Sequence, residues 1–355
     1  MIIKKPQKIL MAMSGGVDSS VAAALLLKDG YDVTGAFMVN YDGEKALGEF
    51  CWHADYQDAV RVAARLGIPL IRLDFVKEYR DLVLDYTFKQ YSLGRTPNPD
   101  VMCNKFVKFG VWLMKASELG YDMLATGHYA KVAKNSAGVF QLLQAKDNNK
   151  DQTYFLHQLN QEQLNKTLFP LGDYTKTEVR ALAKKFKLPT AEKEESMGIC
   201  FIGEVSMRDF LCDKVKVKPG KILNTNGEMV GEHTGLPFYT IGERGLGLGN
   251  TDGQSYYVVD KNIEKNELIV GEKDDPRLFK SQIILENINW IAGQTPKFPL
   301  KCQVRLRHRQ ELQDCTCTLV DGRILLSFIN PQRAITPGQF AVIYVDRECL
   351  GGGEV

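Results

Sequence analysis

The chain has 355 residues, 44% of them hydrophobic and 25% charged, with a formal net charge of +2. That length suits two or three domains with ample core, and so small a charge creates no global field for nucleic acid, leaving only local basic clusters to provide one. No apolar run is long enough to span a bilayer and no signal-peptide pattern is present, so a cytoplasmic protein without membrane contact is expected.

Lys8-Ile9-Leu10-Met11-Ala12-Met13 reads as a strand, Ser14 to Ser20 as a Gly-rich turn, and Val21 to Leu27 as the helix that follows. Such a turn gathers backbone N–H groups and a positive helix end at one spot, which suits phosphate. Gly15 and Gly16 let the backbone approach an anion. Ser14, Ser19 and Ser20 can add hydroxyl donors, and Asp18 could hold the cation that travels with phosphates. Strands are then predicted at Tyr31–Val39, Ile68–Leu73 and Met123–Gly127, with helices at His53–Leu66 and Val107–Leu119. This alternation predicts a parallel, doubly wound α/β sheet whose ligand sits at the carboxyl ends of the strands. Between the helices, Gly94 to Lys105 carries two prolines and reads as a rigid loop bearing Asp100 and Cys103. Gln161 to Leu188 reads as helical. Beyond Glu204, short strands separated by Gly, Asn and Pro predict a small β-rich middle domain and a C-terminal β-barrel or sandwich. The expected divisions are 1–205, 206–276 and 277–355, with Asp274-Asp275-Pro276 as linker.

Eight cysteines include no Cys-x-x-Cys pair, which disfavours a zinc ribbon. In a reducing compartment thiols are expected rather than a disulfide framework. Cys315 and Cys317 alternate on a strand-like run and are expected in a core. Cys200 lies between Gly198 and Gly203 in an apolar stretch. Lys301 to Arg309 alternates basic and apolar residues, so a strand there would align Arg305, Arg307 and Arg309 for a phosphate backbone. His53, His157 and His233 show no metal-ligand spacing, and no protein metal site is expected.

Ser14-Gly15-Gly16-Val17-Asp18-Ser19 lacks the Lys of a Walker A loop and resembles instead the PP-loop of ATP pyrophosphatases, which split ATP into AMP and pyrophosphate. Together with Gly94–Asn104, Ala125–Tyr129, Asn149–Leu156, Gly198–Gly203, Thr336–Gln339 and Cys349–Gly353, it makes the whole chain resemble the bacterial tRNA-specific 2-thiouridylases. The resemblance implies ATP-dependent 2-thiolation of the wobble uridine in tRNAs for Lys, Glu and Gln, with Mg²⁺. Ala12, Met13, Ser14, Gly15, Gly16, Val17, Asp18, Ser19, Met38 and Gly127 would bind ATP. Cys200 would carry a persulfide from an upstream sulfur-donor protein. Cys103 would release that sulfur as hydrosulfide or through a transient disulfide to Cys200, and Asp100 would act as acid or base. Asn98, Pro99, Asp100, His128, Lys150, Asp151, Gln152, Arg307, His308 and Gln339 would contact the anticodon stem-loop. Two departures stand out: His308 where relatives often have Tyr, which makes a charge at low pH conceivable, and Glu243 where they often have Gln. Another PP-loop adenylating enzyme acting on tRNA, an iron–sulfur-dependent tRNA thiolase and a non-catalytic tRNA-binding protein are the rival readings.

Overall fold

Alternate residues of the first strand feed two different cores, and that division sets the architecture. In β1 (Lys8–Ala12), Leu10 joins one apolar cluster while Ile9 and Met11 join another. In β2 (Asp32–Val39), Ala36 and Met38 go to the first, and Val33, Phe37 and Val39 to the second. A strand buried on both faces belongs to a parallel sheet covered by helices. The computed structural model, which describes residues 6–41, 52–194, 214–215, 217–246, 248 and 255–355, has such a sheet. With β3 (Leu70–Asp74) and β4 (Met123–Ala125) it runs on, past a hairpin of β5 (Ala130–Lys134) and β6 (Phe140–Gln144), to β7 (Thr167–Leu168). The order is β3-β2-β1-β4-β7, parallel throughout. The chain leaves β1 for one side and β4 lies on the other, so the crevice for a ligand falls beyond their carboxyl ends.

Helix α1 (Val17–Lys28) follows β1, and α2 (Trp52–Leu66) precedes β3. Two helical readings differ from the structure. The rigid loop expected to end near Lys105 is helical from Pro99: Asn98 accepts from Val101 N and Pro99 occupies the first turn, an arrangement that starts helices. The helix continues in π form over Cys103–Val111 and as a regular helix over Trp112–Glu118. The helical run expected over 161–188 is two helices, Gln161–Asn165 and Lys176–Lys185, parted by β7 and the Pro170–Gly172 turn. Each begins at its own capping box, Asn160/Gln163 and Thr175/Glu178.

The β-rich remainder is as predicted. β8 (Gly220–Asn224), β9 (Met229–His233), β10 (Tyr257–Asn262) and β11 (Glu267–Gly271) form a small sheet in the order β10-β11-β8-β9. Then β12 (Phe279–Trp290), β13 (Leu300–Arg305), β14 (Gln313–Val320), β15 (Arg323–Arg333), β16 (Phe340–Val345) and β17 (Glu348–Glu354) close a six-stranded barrel through the β12–β17 pairing. Cys302, Cys315 and Cys317 are buried inside it. The hairpin β5–β6 extends the barrel sheet, since β6 pairs with β17 at Leu142↔Cys349 and Leu143↔Glu348.

Candidate active site

Backbone approaches that only glycine permits build the phosphate loop. Gly15 has φ +73°, and a Cβ there would lie 2.2 Å from the Asp55 carbonyl oxygen. A Cβ on Gly127, just past β4, would lie 2.8 Å from Ser19 N, so β4 meets the first turn of α1 through glycine alone. Gly16 caps α1 without any side-chain acceptor, which leaves the first-turn N–H groups to a ligand. The serines divide their work. Ser19 and Ser20 are buried, and their hydroxyls donate to Gly16 O at 3.1 and 2.7 Å, which shapes the loop. Ser14 is exposed and lines the cleft. Ala12 ends the strand beneath it and Met13 follows directly, and Met38 packs in the apolar core that also holds Cys103.

The cleft above the loop encloses about 310 Å³. Lys150, Lys176, Lys193 and Arg309 face Asp18 and Glu194 across it, an excess of positive charge. Lys176 Nζ lies 2.7 and 2.9 Å from the two Asp18 oxygens, and the Tyr129 hydroxyl donates to Asp18 Oδ1 at 2.8 Å. Lys193 Nζ donates to Gly15 O at 3.2 Å, to Asp55 at 2.7 Å and to Asp58 at 2.6 Å, which pins the loop to α2. Burial pulls the Lys193 pKa down, but the hydrogen bonds to Asp55 and Asp58 outweigh it and the net shift is upward. Sequence reasoning missed Tyr129, Lys176 and Lys193 as site residues. The Thr175-x-x-Glu178 capping box could have flagged Lys176, because it puts that lysine at a helix start; no comparable pattern marks Lys193.

Asp100 and Cys103 stand three apart on the Pro99 helix, on one side of it. Cys103 is 1% exposed, and Asp100 Oδ1 is buried without a hydrogen-bond partner. The segment before them is held from two other parts of the chain. Gln339 Nε2 donates to Thr96 O at 2.9 Å and Pro97 O at 3.3 Å, and Asn98 Nδ2 donates to Gln339 Oε1 at 3.4 Å. Thr96 N donates to Pro337 O at 2.9 Å, while Lys261 Nζ reaches Gly94 O at 3.0 Å from β10. Burial lowers the Lys261 pKa to about 8, against the opposing charge of Glu243. Cys200, with the whole Ser196–Gly203 segment, lies outside the described residues.

Among the residues expected to contact RNA, Lys150, Gln152 and His308 line the cleft together with the phosphate loop. Others point inward. Asp151 is buried: it takes Arg305 Nη1 at 3.0 Å, Ala145 N at 3.1 Å and the Thr153 hydroxyl at 2.7 Å. His128 shares a 2.6 Å hydrogen bond with Thr126 Oγ1 and packs against Phe109 and Phe169; burial, then Lys108, holds its pKa well below the usual value. The expected arginine stripe does not form. β13 ends at Arg305, which is buried, Arg309 adopts φ +65° in the following turn, and Arg307 donates to Ala334 O and, at 3.2 Å, to Thr336 Oγ1. The His308 and Phe155 ring centroids lie 4.5 Å apart, with the rings tilted by 42°. Its pKa is lowered to about 4 by burial and then by Arg309, Arg305 and Lys150, so the charge thought conceivable there is suppressed above that pH. Among the described residues no group of three His, Cys, Asp or Glu could hold a metal ion.

Three family models match this chain: the tRNA methyl transferase HUP domain over residues 7–204, the tRNA methyl transferase PRC-barrel domain over 208–272, and the aminomethyltransferase beta-barrel domain over 280–355. Three curated relatives align almost end to end, and all are named tRNA-specific 2-thiouridylase MnmA. That of Streptococcus sanguinis is 45% identical over 98% of this chain and 94% of its own. That of Halalkalibacterium halodurans is 46% identical over 99% and 96%, and that of Alkaliphilus oremlandii 47% identical over 99% and 97%.

Proposed function

The chain belongs to the tRNA-specific 2-thiouridylase family, and from that premise we propose that it exchanges the 2-oxygen of the wobble uridine for sulfur in tRNAs for Lys, Glu and Gln. The observation that carries this reading is a shared cleft: Lys150, Gln152, His308 and Arg309 line the same space as Ser14, Gly16 and Asp18. RNA-facing groups and a phosphate loop in one cleft suit the adenylation of a nucleobase rather than of a free metabolite.

In the proposed reaction, ATP lies with its phosphates on the first-turn N–H groups of α1, beside Lys176 and Lys193. The uridine 2-oxygen attacks the α-phosphorus and pyrophosphate leaves. The terminal sulfur of a persulfide on Cys200 attacks C2, and AMP departs. The Cys103 thiol then attacks Cys200 Sγ and breaks the S–S bond, which leaves a thiocarbonyl on the base and a Cys103–Cys200 disulfide for a reductant to reopen. The other course releases the sulfur as hydrosulfide with Cys103's help. Asp100, with its unpaired buried oxygen, is the group to move a proton beside the base. An upstream donor protein supplies the persulfide. Asn98, Pro99 and Gln339 shape the pocket for the splayed uridine.

Mg²⁺ would arrive on the ATP phosphates. The described residues lining the cleft offer it two carboxylates, Glu194 and Asp18, the latter already engaged by Lys176 and Tyr129, which do not make a metal site by themselves; no step above passes through the metal. No helix among the described residues is long and apolar enough to cross a membrane. The test is product analysis with unmodified tRNA, ATP and a persulfide donor. Equal amounts of AMP and 2-thiouridine are expected, and AMP without thiolated base would overturn the reading.

A further inference from the structure

Tyr129 joins the phosphate side of the cleft to its RNA side. Its side chain is 2% exposed. At one end its hydroxyl donates to Asp18 Oδ1 at 2.8 Å, on the same carboxylate that holds Lys176. At the other end its backbone is tied twice to Gln152: Gln152 N donates to Tyr129 O at 2.9 Å, and Tyr129 N donates to Gln152 Oε1 at 2.9 Å. The neighbouring Asp151 is locked to Arg305 on the barrel, so the 150–152 segment has little room to move without Tyr129.

We propose that Tyr129 is a positioning residue that makes RNA binding and ATP binding strengthen each other, an inference that rests on the reading above. When phosphate enters, Lys176 has a second anion to serve. If it turns to the phosphate, the Asp18 carboxylate loses two contacts and keeps the Tyr129 hydroxyl. That hydroxyl donor limits the cost of leaving the carboxylate under-satisfied. RNA seated on Lys150 and Gln152 fixes the backbone of Tyr129 and hence its hydroxyl. Lys176 then leaves Asp18 at a lower cost. Reciprocity follows: ATP tightens RNA binding by the same factor that RNA tightens ATP binding.

The test uses the full chain, a non-hydrolysable ATP analogue with a methylene between the α and β phosphorus atoms, and an unmodified anticodon stem-loop RNA. Each ligand is titrated calorimetrically alone and in the presence of the other, in wild type and in Tyr129→Phe. Wild type should show a coupling factor of about 5-fold or more, equal in both directions. Tyr129→Phe should bind each ligand alone yet show a factor within about twofold of unity. Gln152→Ala cuts the link at its other end; it should lose the coupling too, and it serves if Tyr129→Phe proves unstable, because the factor is a ratio in which lost RNA affinity cancels. Coupling that persists in a folded variant, or is absent from wild type when both ligands bind, overturns the inference alone. Failure of wild type to bind either ligand overturns the functional reading itself.

Discussion

Arg305 Nη1 lies 3.0 Å from Asp151 Oδ2, with their side chains 7% and 0% exposed. The guanidinium also sits 5.5 Å from the Tyr344 ring centroid, inside the joint between the barrel and the 150–152 segment. Removing one partner leaves a buried charge without compensation. Arg305→Met should therefore cost about 3–5 kcal/mol of stability. Adding Asp151→Asn should restore a good part of it, and urea midpoints of the single and double variants check both.

Glycine substitutions in the phosphate loop should separate by geometry. Gly127→Ala would push Cβ to 2.8 Å from Ser19 N, and Gly15→Ala would meet the Asp55 carbonyl at 2.2 Å in a left-handed conformation. Each should destabilise the fold by about 1–3 kcal/mol and weaken the ATP analogue. At Gly16 the nearest atom is Ser14 Oγ at 3.4 Å, so Gly16→Ala should melt close to wild type.

Lys193→Met removes the cation that ties Gly15 to Asp55 and Asp58. It leaves two carboxylates facing a phosphate site. The apparent ATP affinity should fall by about 10–100-fold, equivalent to roughly 1.4–2.8 kcal/mol. Pyrophosphate release measured against ATP concentration reads it as a raised KM.

Cys103→Ser and Cys200→Ser should separate the two halves of the reaction. Both should form little or no 2-thiouridine, and Cys200→Ser should still bind tRNA. Mass spectrometry of the tRNA and a filter-binding assay report the two outcomes; loss of tRNA binding in Cys200→Ser would give that cysteine a structural role.

Acid should weaken the fold through two imidazoles, His157 buried and His308 half-buried. Burial lowers His157 to about 4, with the Tyr154 carbonyl opposing and Lys105 assisting, and His308 is lowered to about 4 as well. The unfolded chain takes up these protons near the ordinary value of 6.5, whereas the native state refuses them until about pH 4. Stability from both is complete above about pH 6.5 and is lost as the pH falls towards 4, by about 3 kcal/mol for His157. His308→Tyr should flatten part of that slope, and urea midpoints at pH 7.5, 5.5 and 4.5, all about the same protein concentration, test it.

The phosphate loop was legible in the sequence because glycine is required where no Cβ fits, and Gly15 and Gly127 are such places. Its counter-charges were not. Lys176 reaches Asp18 across 158 residues, and Lys193 reaches Asp55 across 138. No local pattern encodes such a meeting. The Pro99 helix was misread because two prolines and a glycine suggest a loop, although Asn98-Pro99 is also a helix start. The arginine alternation misled for the opposite reason. It assumed a strand through Arg309, whereas the turn after Arg305 sends Arg307 towards the Ala334 carbonyl. That arginine, though exposed, props the turn leading to Gln339.

The pairing of β6 with β17 bears on how far this chain can be taken apart. The same outer edge of β17 serves β6 at Glu348 and Cys349, then β12 from Gly351 to Glu354. Three family models match three consecutive stretches, yet the backbone ladder crosses from the first of them into the last. A barrel excised at 277 would expose part of a strand edge, and the nucleotide half would keep a hairpin with nothing beside it. The parts are modular as text but not as objects: transplanting either half into a chimera calls for a substitute strand at that edge.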